Sequence, residues 1–129
     1  MTLKTIRMLD YVILLCQDLE SMKHFYHEVM GFPVYRDWGD WYEMSVGGVL
    51  LTLRPRGRSY DGEGAGGANV QLAFRVAPDD VARCYAELLA HNVEIIEAPM
   101  DKRFGHKTLF FKDPEGNILE IYADIPVPE

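Results

Sequence analysis

Glu120 is a single carboxylate inside an otherwise apolar stretch, residues 118–122. The preceding residues 113–117, Asp-Pro-Glu-Gly-Asn, have turn chemistry, so the stretch is predicted to be the returning strand of a hairpin. Leu119 and Ile121 then share one face of that strand and Glu120 takes the other. With Leu119 and Ile121 in a core, Glu120 faces water or a cavity. A carboxylate placed there could hold a metal, bind a cationic ligand, act as a general base or simply be solvated.

The four histidines are the other candidates for metal or proton chemistry. His24 and His27 have a chelating i, i+3 spacing, but they lie off the buried stripe of a predicted helix and are interpreted as solvated. His91 lies near a helix end, where surface placement suits the helix dipole. His106 opens a strand that should neighbour the Glu120 strand. We predict His106 as a pocket residue, with a rim or surface position as the alternative.

Aromatic and acidic side chains concentrate in residues 35–44, YRDWGDWYEM. One interpretation is a hairpin whose aromatics cover the sheet or a dimer interface. The other is a clamp that binds a planar or cationic ligand by stacking and cation–π attraction. On a regular strand Trp38 and Trp41 cannot share a face, so at most one should point into a cavity. Phe104, which precedes Gly105 in a loop, is placed at the rim.

Three alternating arginines, Arg54, Arg56 and Arg58, follow a predicted strand. Arg54-Pro55-Arg56 is interpreted as a solvated strand end, with an anion contact as the alternative. Residues 57–69, GRSYDGEGAGGAN, contain five glycines and little apolar content. This segment is predicted to be a flexible linker, with a ligand-covering lid that carries Tyr60 as the alternative.

The elements that must position these residues occur twice in the chain. Two amphipathic helices match position by position at an offset of 59: the apolar stripe Met22, Phe25, Tyr26, Val29 and Met30 corresponds to Val81, Cys84, Tyr85, Leu88 and Leu89. The helices are predicted to span about 19–30 and 78–91. A short apolar strand precedes each helix, beginning at Tyr11 and at Gln71, and three extended segments follow. Both halves therefore have the pattern β-α-β-β-β.

Length and composition predict one domain, residues 1–129, with module one at about 6–56 and module two at about 70–124. The chain is 48% hydrophobic and has a formal charge of −7, which argues against a nucleic-acid or anionic-membrane partner. Cys16 and Cys84 both lie in predicted regular structure, and no leader pattern precedes them. We therefore expect free thiols and a cytoplasmic location. The longest apolar run, 12–16, is far below the ~20 residues that span a bilayer.

The duplicated module begins with LDYVILLCQDLESMKHFYHEVMGF at 9–32 and ends with FGHKTLFFKDPEGNILEIYA at 104–123. With these two segments it resembles the vicinal oxygen chelate superfamily of glyoxalase I, extradiol dioxygenases, fosfomycin-resistance enzymes and bleomycin-resistance proteins. The resemblance covers about residues 6–123. It implies an α+β fold in which two tandem βαβββ modules form a cupped mixed sheet.

The same resemblance implies four floor positions, on the first and last strand of each half, which hold a divalent metal in the metal-dependent branches. Aligning the hairpin turns pairs Leu51 with Glu120, and the four positions become Tyr11, Leu51, Gln71 and Glu120. Leucine offers no donor atom, a protonated phenol binds divalent metals poorly, and a glutamine amide oxygen is a weak neutral donor. We therefore predict no metal ion and no other cofactor, with a divalent metal as the alternative.

The favoured function is a small-molecule binding protein that sequesters a drug-like or metabolite ligand without metal and resembles the bleomycin- and mitomycin-resistance type. The alternatives are a metal-dependent glyoxalase-like lyase, isomerase or dioxygenase, and a metal-free enzyme that uses Glu120 as general base. A homodimer is expected, because in this superfamily the inner face of a half commonly pairs across a two-fold axis. The predicted ligand-binding residues are Tyr11, Trp38, Trp41, Leu51, Gln71, Phe104, His106 and Glu120.

Overall fold

The computed structural model describes residues 4–62 and 69–127. The chain divides into two compact units, 1–62 and 63–129, and the boundary falls inside the glycine-rich segment 57–69. Positions 63–68 of that segment lie outside the described residues. Each unit contains one of the two modules predicted from the repeat.

Module one has the order β-α-β-β-β. Its elements are β1 (Tyr11–Cys16), α1 (Leu19–Lys23), β2 (Val34–Asp37), β3 (Tyr42–Val46) and β4 (Val49–Pro55). The sheet order is β1-β4-β3-β2, with β1 parallel to β4 and the other pairs antiparallel. Asp18 caps α1 by accepting a hydrogen bond of 3.1 Å from Ser21 N. The helix then widens into a π-helix, His24–Val29, so the predicted helix is present with a looser second half.

Module two repeats the arrangement. Its elements are β5 (Gln71–Arg75), α2 (Asp80–Ala90), β6 (Ile95–Lys102), β7 (His106–Lys112) and β8 (Ile118–Asp124). The sheet order is β5-β8-β7-β6, with β5 parallel to β8 and the other pairs antiparallel. The predicted pair of βαβββ modules is confirmed. No helix among residues 4–62 and 69–127 has the length and apolar character needed to cross a membrane.

Each sheet has one face that packs against its helix. In module one Lys23 of α1 places Nζ 5.0 Å from the centre of the Tyr42 ring, which identifies the helix side. The buried apolar residues of module one are Leu14, Cys16, Met22, Phe25, Tyr26, Tyr42, Met44, Leu51 and Leu53. Those of module two are Val81, Leu88, Leu109, Phe111, Leu119, Ile121 and Ala123, so the predicted core placement of Leu119 and Ile121 is confirmed. The side of each sheet away from its helix is called the open face below.

The structure corrects the pairing of Leu51 with Glu120. Tyr11 lies beside Leu50 in module one, and Gln71 lies beside Ile118 in module two. The two last strands therefore correspond at an offset of 68, so that Thr52 is the mate of Glu120. Leu51 pairs with Met44 on the helix side and is buried there.

The physical reason is the difference between the two hairpin loops. The β3–β4 turn has two residues between the paired Val46 and Val49, whereas five residues separate the paired Lys112 and Ile118. Aligning the centres of loops of unequal length shifts one strand by one residue. A shift of one residue on a strand moves every side chain to the opposite face.

Candidate functional site

Glu120 lies on the open face of module two, between two apolar cross-strand neighbours. Its strand β8 is flanked by β5 and β7, and its cross-strand neighbours are Ala73 and Phe110. The side chain is half-buried and makes no hydrogen bond or ion pair with another residue of the described ranges. The Glu120 carboxylate therefore lacks a partner among the described residues and remains accessible to a ligand.

A hydrogen-bonded turn fixes the strand that carries Glu120. Asp113 Oδ1 accepts hydrogen bonds from Glu115 N at 2.9 Å and Asn117 N at 3.0 Å. Its second oxygen, Oδ2, accepts one from Asn117 Nδ2 at 2.8 Å, and both side chains are buried. Gly116 has a φ of 87°, which favours glycine at this position. The turn sequence therefore sets the start of β8 and hence the face on which Glu120 lies.

His106 belongs to an aromatic ladder at the other end of the same face. Its ring stacks on Tyr122 with centroids 4.6 Å apart and meets Phe104 edge-on at 5.1 Å. Arg75 Nε donates to the Tyr122 hydroxyl at 3.1 Å. Asp124 forms an ion pair with Arg75 at 3.0 Å, and its Oδ1 lies 3.4 Å from His106 Nε2. His106 therefore opens β7 beside β8, as predicted, and lies with other polar and aromatic side chains.

The predicted module-two residues share the open face but occupy separate rows. Gln71 is exposed on the edge strand β5 beside Ile118, one row from Glu120. His106 pairs with Asp124, two rows from Glu120 in the other direction. Phe104 precedes β7 and is 67% exposed. No hydrogen bond or ion pair joins Glu120 to Gln71 or His106 within residues 69–127.

The open face of module one contains a buried carboxylate that the sequence interpretation did not single out. Glu43 on β3 is 1% exposed and lies opposite Thr52. Trp41 Nε1 donates to Glu43 Oε2 at 2.8 Å. The other oxygen, Oε1, is buried without a hydrogen-bond partner among the described residues, and Arg36 Nε is 3.8 Å away. The pKa of Tyr11 is raised, chiefly by the nearby Glu43 carboxylate.

The structure places the two tryptophans in different surroundings. Trp41 is half-buried, and its ring lies 6.3 Å from that of Tyr11 on the open face of module one. Trp38 is 66% exposed, with the Arg36 guanidinium 4.8 Å from its ring. Trp41 is therefore the one of the two that faces this side of the sheet, together with Tyr11.

Arg54 is buried, and its interpretation as a solvated strand end is wrong. Its Nη1 and Nη2 donate to Asp61 Oδ2 at 2.9 Å and Oδ1 at 2.6 Å. The backbone N–H groups of Gly57 and Arg58 also donate to Asp61 Oδ2, at 2.9 and 2.7 Å. These donors hold the pKa of Asp61 well below its usual range. Residues 57–62, the first part of the predicted linker, are thus held to the end of β4.

Glu43, Arg54 and Asp61 are the polar residues that sequence interpretation missed. The signal for Glu43 was present, because it alternates with the apolar Tyr42 and Met44 just as Glu120 alternates with Leu119 and Ile121. Only the acidic and aromatic composition of the segment was noted there. Asp61 gave no comparable signal, since it lies in a glycine-rich stretch.

Few of the residues at the four floor positions that the resemblance implies are strong metal donors. With Thr52 in place of Leu51, the set is Tyr11, Thr52, Gln71 and Glu120, in which only one member is a strong donor. The raised pKa of Tyr11 keeps its phenol protonated and further weakens it as a ligand. Over residues 4–62 and 69–127, no three His, Cys, Asp or Glu side chains are grouped so as to hold a metal.

Comparison with known proteins agrees with this architecture. Residues 8–121 match the model of the Glyoxalase/Bleomycin resistance protein/Dioxygenase superfamily. The chain belongs to this superfamily. The chain is 23% identical over 123 residues to glyoxalase domain-containing protein RDO1 of Mycosarcoma maydis, covering 91% of this chain and 68% of the relative. It is 21% identical to the metallothiol transferase FosB of Lysinibacillus sphaericus, and the match covers 92% of this chain and 84% of the relative.

Solved structures show the same fold. The crystal structure of a glyoxalase/bleomycin resistance protein/dioxygenase from Nocardioides matches with a TM-score of 0.81 at 21% sequence identity. The match covers 97% of this chain and 88% of that one. The match to the family model establishes membership of the superfamily. The solved structures, at identities this low, show the fold alone.

Proposed function

We propose that this superfamily member is a small-molecule binding protein that takes its ligand without a metal ion. The observation that carries the proposal is Glu120, a half-buried carboxylate without a protein partner among the described residues, between Ala73 and Phe110. Retaining an unpaired charge between apolar neighbours is costly for folding. A ligand that pairs with Glu120 offsets that cost when it binds.

The surroundings of Glu120 favour a ligand with an apolar or planar body and a cationic or hydrogen-bond-donating group. Phe110 and Ala73 offer apolar contact on either side of the carboxylate. In the next rows, the stacked rings of Tyr122 and His106 offer a planar surface. Gln71, one row away at the sheet edge, supplies a neutral donor and acceptor. This set suits a protonated amine attached to an aromatic or aliphatic body.

The absence of a bound metal is part of the proposal and is supported by the donor set. Three of the four positions carry a phenol, a hydroxyl and an amide, and none of these replaces a histidine or carboxylate ligand. FosB, to which the chain is similar, is named a metallothiol transferase, so metal-dependent catalysis is the competing function. We further propose a homodimer, a reducing cytoplasmic location and no nucleic-acid partner. The formal charge of −7 supports the last of these.

The test combines two measurements on protein purified without added ligand. Native mass spectrometry, followed by denaturation and identification of the released compound, should find a small molecule bound to the wild type. Glu120→Gln should retain less of it, whereas Glu87→Gln, a change at an exposed position on α2, should retain as much. Elemental analysis of the same samples should find well under one divalent metal per chain. A stoichiometric metal after dialysis would instead support the metal-dependent enzyme.

A further inference from the structure

An arginine-lined pocket lies within module one, whereas Glu120 belongs to module two. Its volume is about 250 Å³, and its walls include Arg54, Arg56 and Arg58, together with Asp40, Trp41 and Pro55. The three guanidinium groups differ in the hydrogen bonds that they already make. Those differences indicate which of them can contact a ligand.

Arg54 is committed to the fold, because both of its Nη atoms donate to Asp61. Arg56 is only partly satisfied. Its Nη1 donates to the carbonyl oxygens of Asp61 at 2.7 Å and Gly62 at 3.4 Å, while its Nε and Nη2 donate to no residue in the described part of the chain. Arg58 donates through Nη1 to the Tyr60 hydroxyl at 3.1 Å and is otherwise exposed. Arg56 and Arg58 therefore retain donor groups for an anion.

Trp41 supplies an aromatic wall whose orientation is fixed. Its indole Nε1 donates to the buried Glu43 at 2.8 Å, so one edge of the ring is held in the sheet. A ring that is already held loses little conformational freedom when a planar molecule stacks on it. The pocket thus combines a fixed planar surface with guanidinium donors.

The local charge favours a monoanion. Asp61 neutralises Arg54, and the buried Glu43 beside Trp41 has Arg36 at 3.8 Å as its counter-charge. Asp40 in the pocket wall offsets one more arginine, which leaves one positive charge uncompensated. We propose that this pocket binds a small planar molecule that bears a single negative charge, with its carboxylate at Arg56 and Arg58 and its ring against Trp41. This goes beyond the proposed function, which concerns the open face of module two.

Fluorescence of Trp41 provides a direct test. The chain has two tryptophans, so Trp38→Phe leaves Trp41 as the single reporter. Benzoate, benzyl alcohol, acetate and phenyl phosphate are titrated at constant ionic strength, and calorimetry repeats the benzoate titration. Benzoate should cause a saturable change. Benzyl alcohol, without charge, and acetate, without a ring, should bind at least about tenfold more weakly. Phenyl phosphate, largely a dianion at pH 8, should also bind more weakly than benzoate.

Variants locate the site. Arg56→Gln and Arg58→Gln should each weaken benzoate binding, Arg56→Gln by about tenfold. Arg83→Gln, at an exposed arginine on α2, should leave it unchanged. Thermal melts report whether each variant is folded, and if Arg56→Gln does not fold, Arg58→Gln decides.

The proposal is overturned if benzoate gives no saturable change, if benzyl alcohol or phenyl phosphate binds as tightly as benzoate, or if the folded arginine variants bind like the wild type. Glu120→Gln should not alter benzoate binding, which separates this site from the proposed function.

Discussion

Asp61 and Arg54 form a buried, two-pronged ion pair inside module one. Arg54 Nη2 lies 2.6 Å from Asp61 Oδ1, and the side chains are only 7% and 1% exposed. The carboxylate also receives the backbone N–H groups of Gly57 and Arg58. Asp61 thus supplies acceptors for Arg54, the last buried side chain of β4, and holds residues 56–61 against the end of the strand.

The first prediction is that Asp61→Asn lowers the urea midpoint of unfolding at neutral pH. Asparagine keeps the shape but removes the charge, and it leaves the buried Arg54 guanidinium without a counter-charge. The control is Asp101→Asn, which removes the carboxylate of an exposed pair with Lys107 and should shift the midpoint much less. Equal midpoints for Asp61→Asn and wild type would show that the pair does not stabilise the fold.

The same pair predicts a pH dependence. The pKa of Asp61 is lowered in the folded protein, so its contribution to stability is complete above the unfolded carboxyl pKa of about 4. That contribution is lost as the pH falls below about 4 toward the lowered pKa. The difference in urea midpoint between wild type and Asp61→Asn should therefore be largest near neutral pH and shrink below about pH 4. A difference that grows with acidification contradicts this assignment.

The second prediction concerns the Tyr11 phenol. Its pKa is raised above 10.0, chiefly by the polar interaction of the phenol with Glu43, with burial and the charge of Glu43 adding to the shift. Glu43→Gln removes the charge and should lower the pKa of Tyr11 toward 10.0. Carbon-13 NMR of labelled tyrosine, with Tyr11→Phe to assign the signal, measures the titration. Glu28→Gln is the control, and a Tyr11 pKa unchanged by Glu43→Gln would mean that Glu43 does not contact the phenol.

The repeat and the hydrophobic periodicity predicted much of the fold. The strands that precede the two helices were expected to begin at Tyr11 and Gln71, as observed, since apolar runs bounded by turn residues are a local signal. The helix of module one was predicted as one element of 19–30, and the structure divides it into α1 and a π-helix. The apolar spacing does not distinguish the i→i+4 hydrogen bonds of an α-helix from the i→i+5 hydrogen bonds of a π-helix. The division was therefore not predictable from the sequence.

The candidate site was less predictable because it depends on contacts between distant residues. Glu120 was found from alternation along one strand, which is local information. Its mate was assigned to Leu51, one residue from Thr52, because the register of β4 is set by pairing with β1 and not by its hairpin. The burial of Arg54 depends on Asp61, seven residues further along in a glycine-rich segment whose sequence has no periodicity.

The third prediction is that the protein is a homodimer in solution. The resemblance to the superfamily supports two-fold pairing, and module one exposes apolar side chains on its N-terminal residues, with Ile6, Met8 and Leu9 at 67%, 62% and 69% exposure. Light scattering coupled to size-exclusion chromatography should give twice the chain mass of 14.8 kDa at micromolar concentration. A mass of one chain across that range would reject the dimer.

The last prediction concerns Glu120. The carboxylate has apolar neighbours, Ala73 and Phe110, and lacks an ion-pair partner within residues 69–127, so removing its charge also removes a desolvation cost. Glu120→Gln should therefore melt at the wild-type temperature or slightly higher. Its affinity for the ligand recovered by mass spectrometry should fall by about 1–3 kcal/mol, the usual scale for a charge-assisted contact. Calorimetric titration and thermal melts on wild type, Glu120→Gln and the Glu87→Gln control measure both quantities. A Glu120→Gln variant that melts much lower while binding equally well would mean that Glu120 serves the fold and not the ligand.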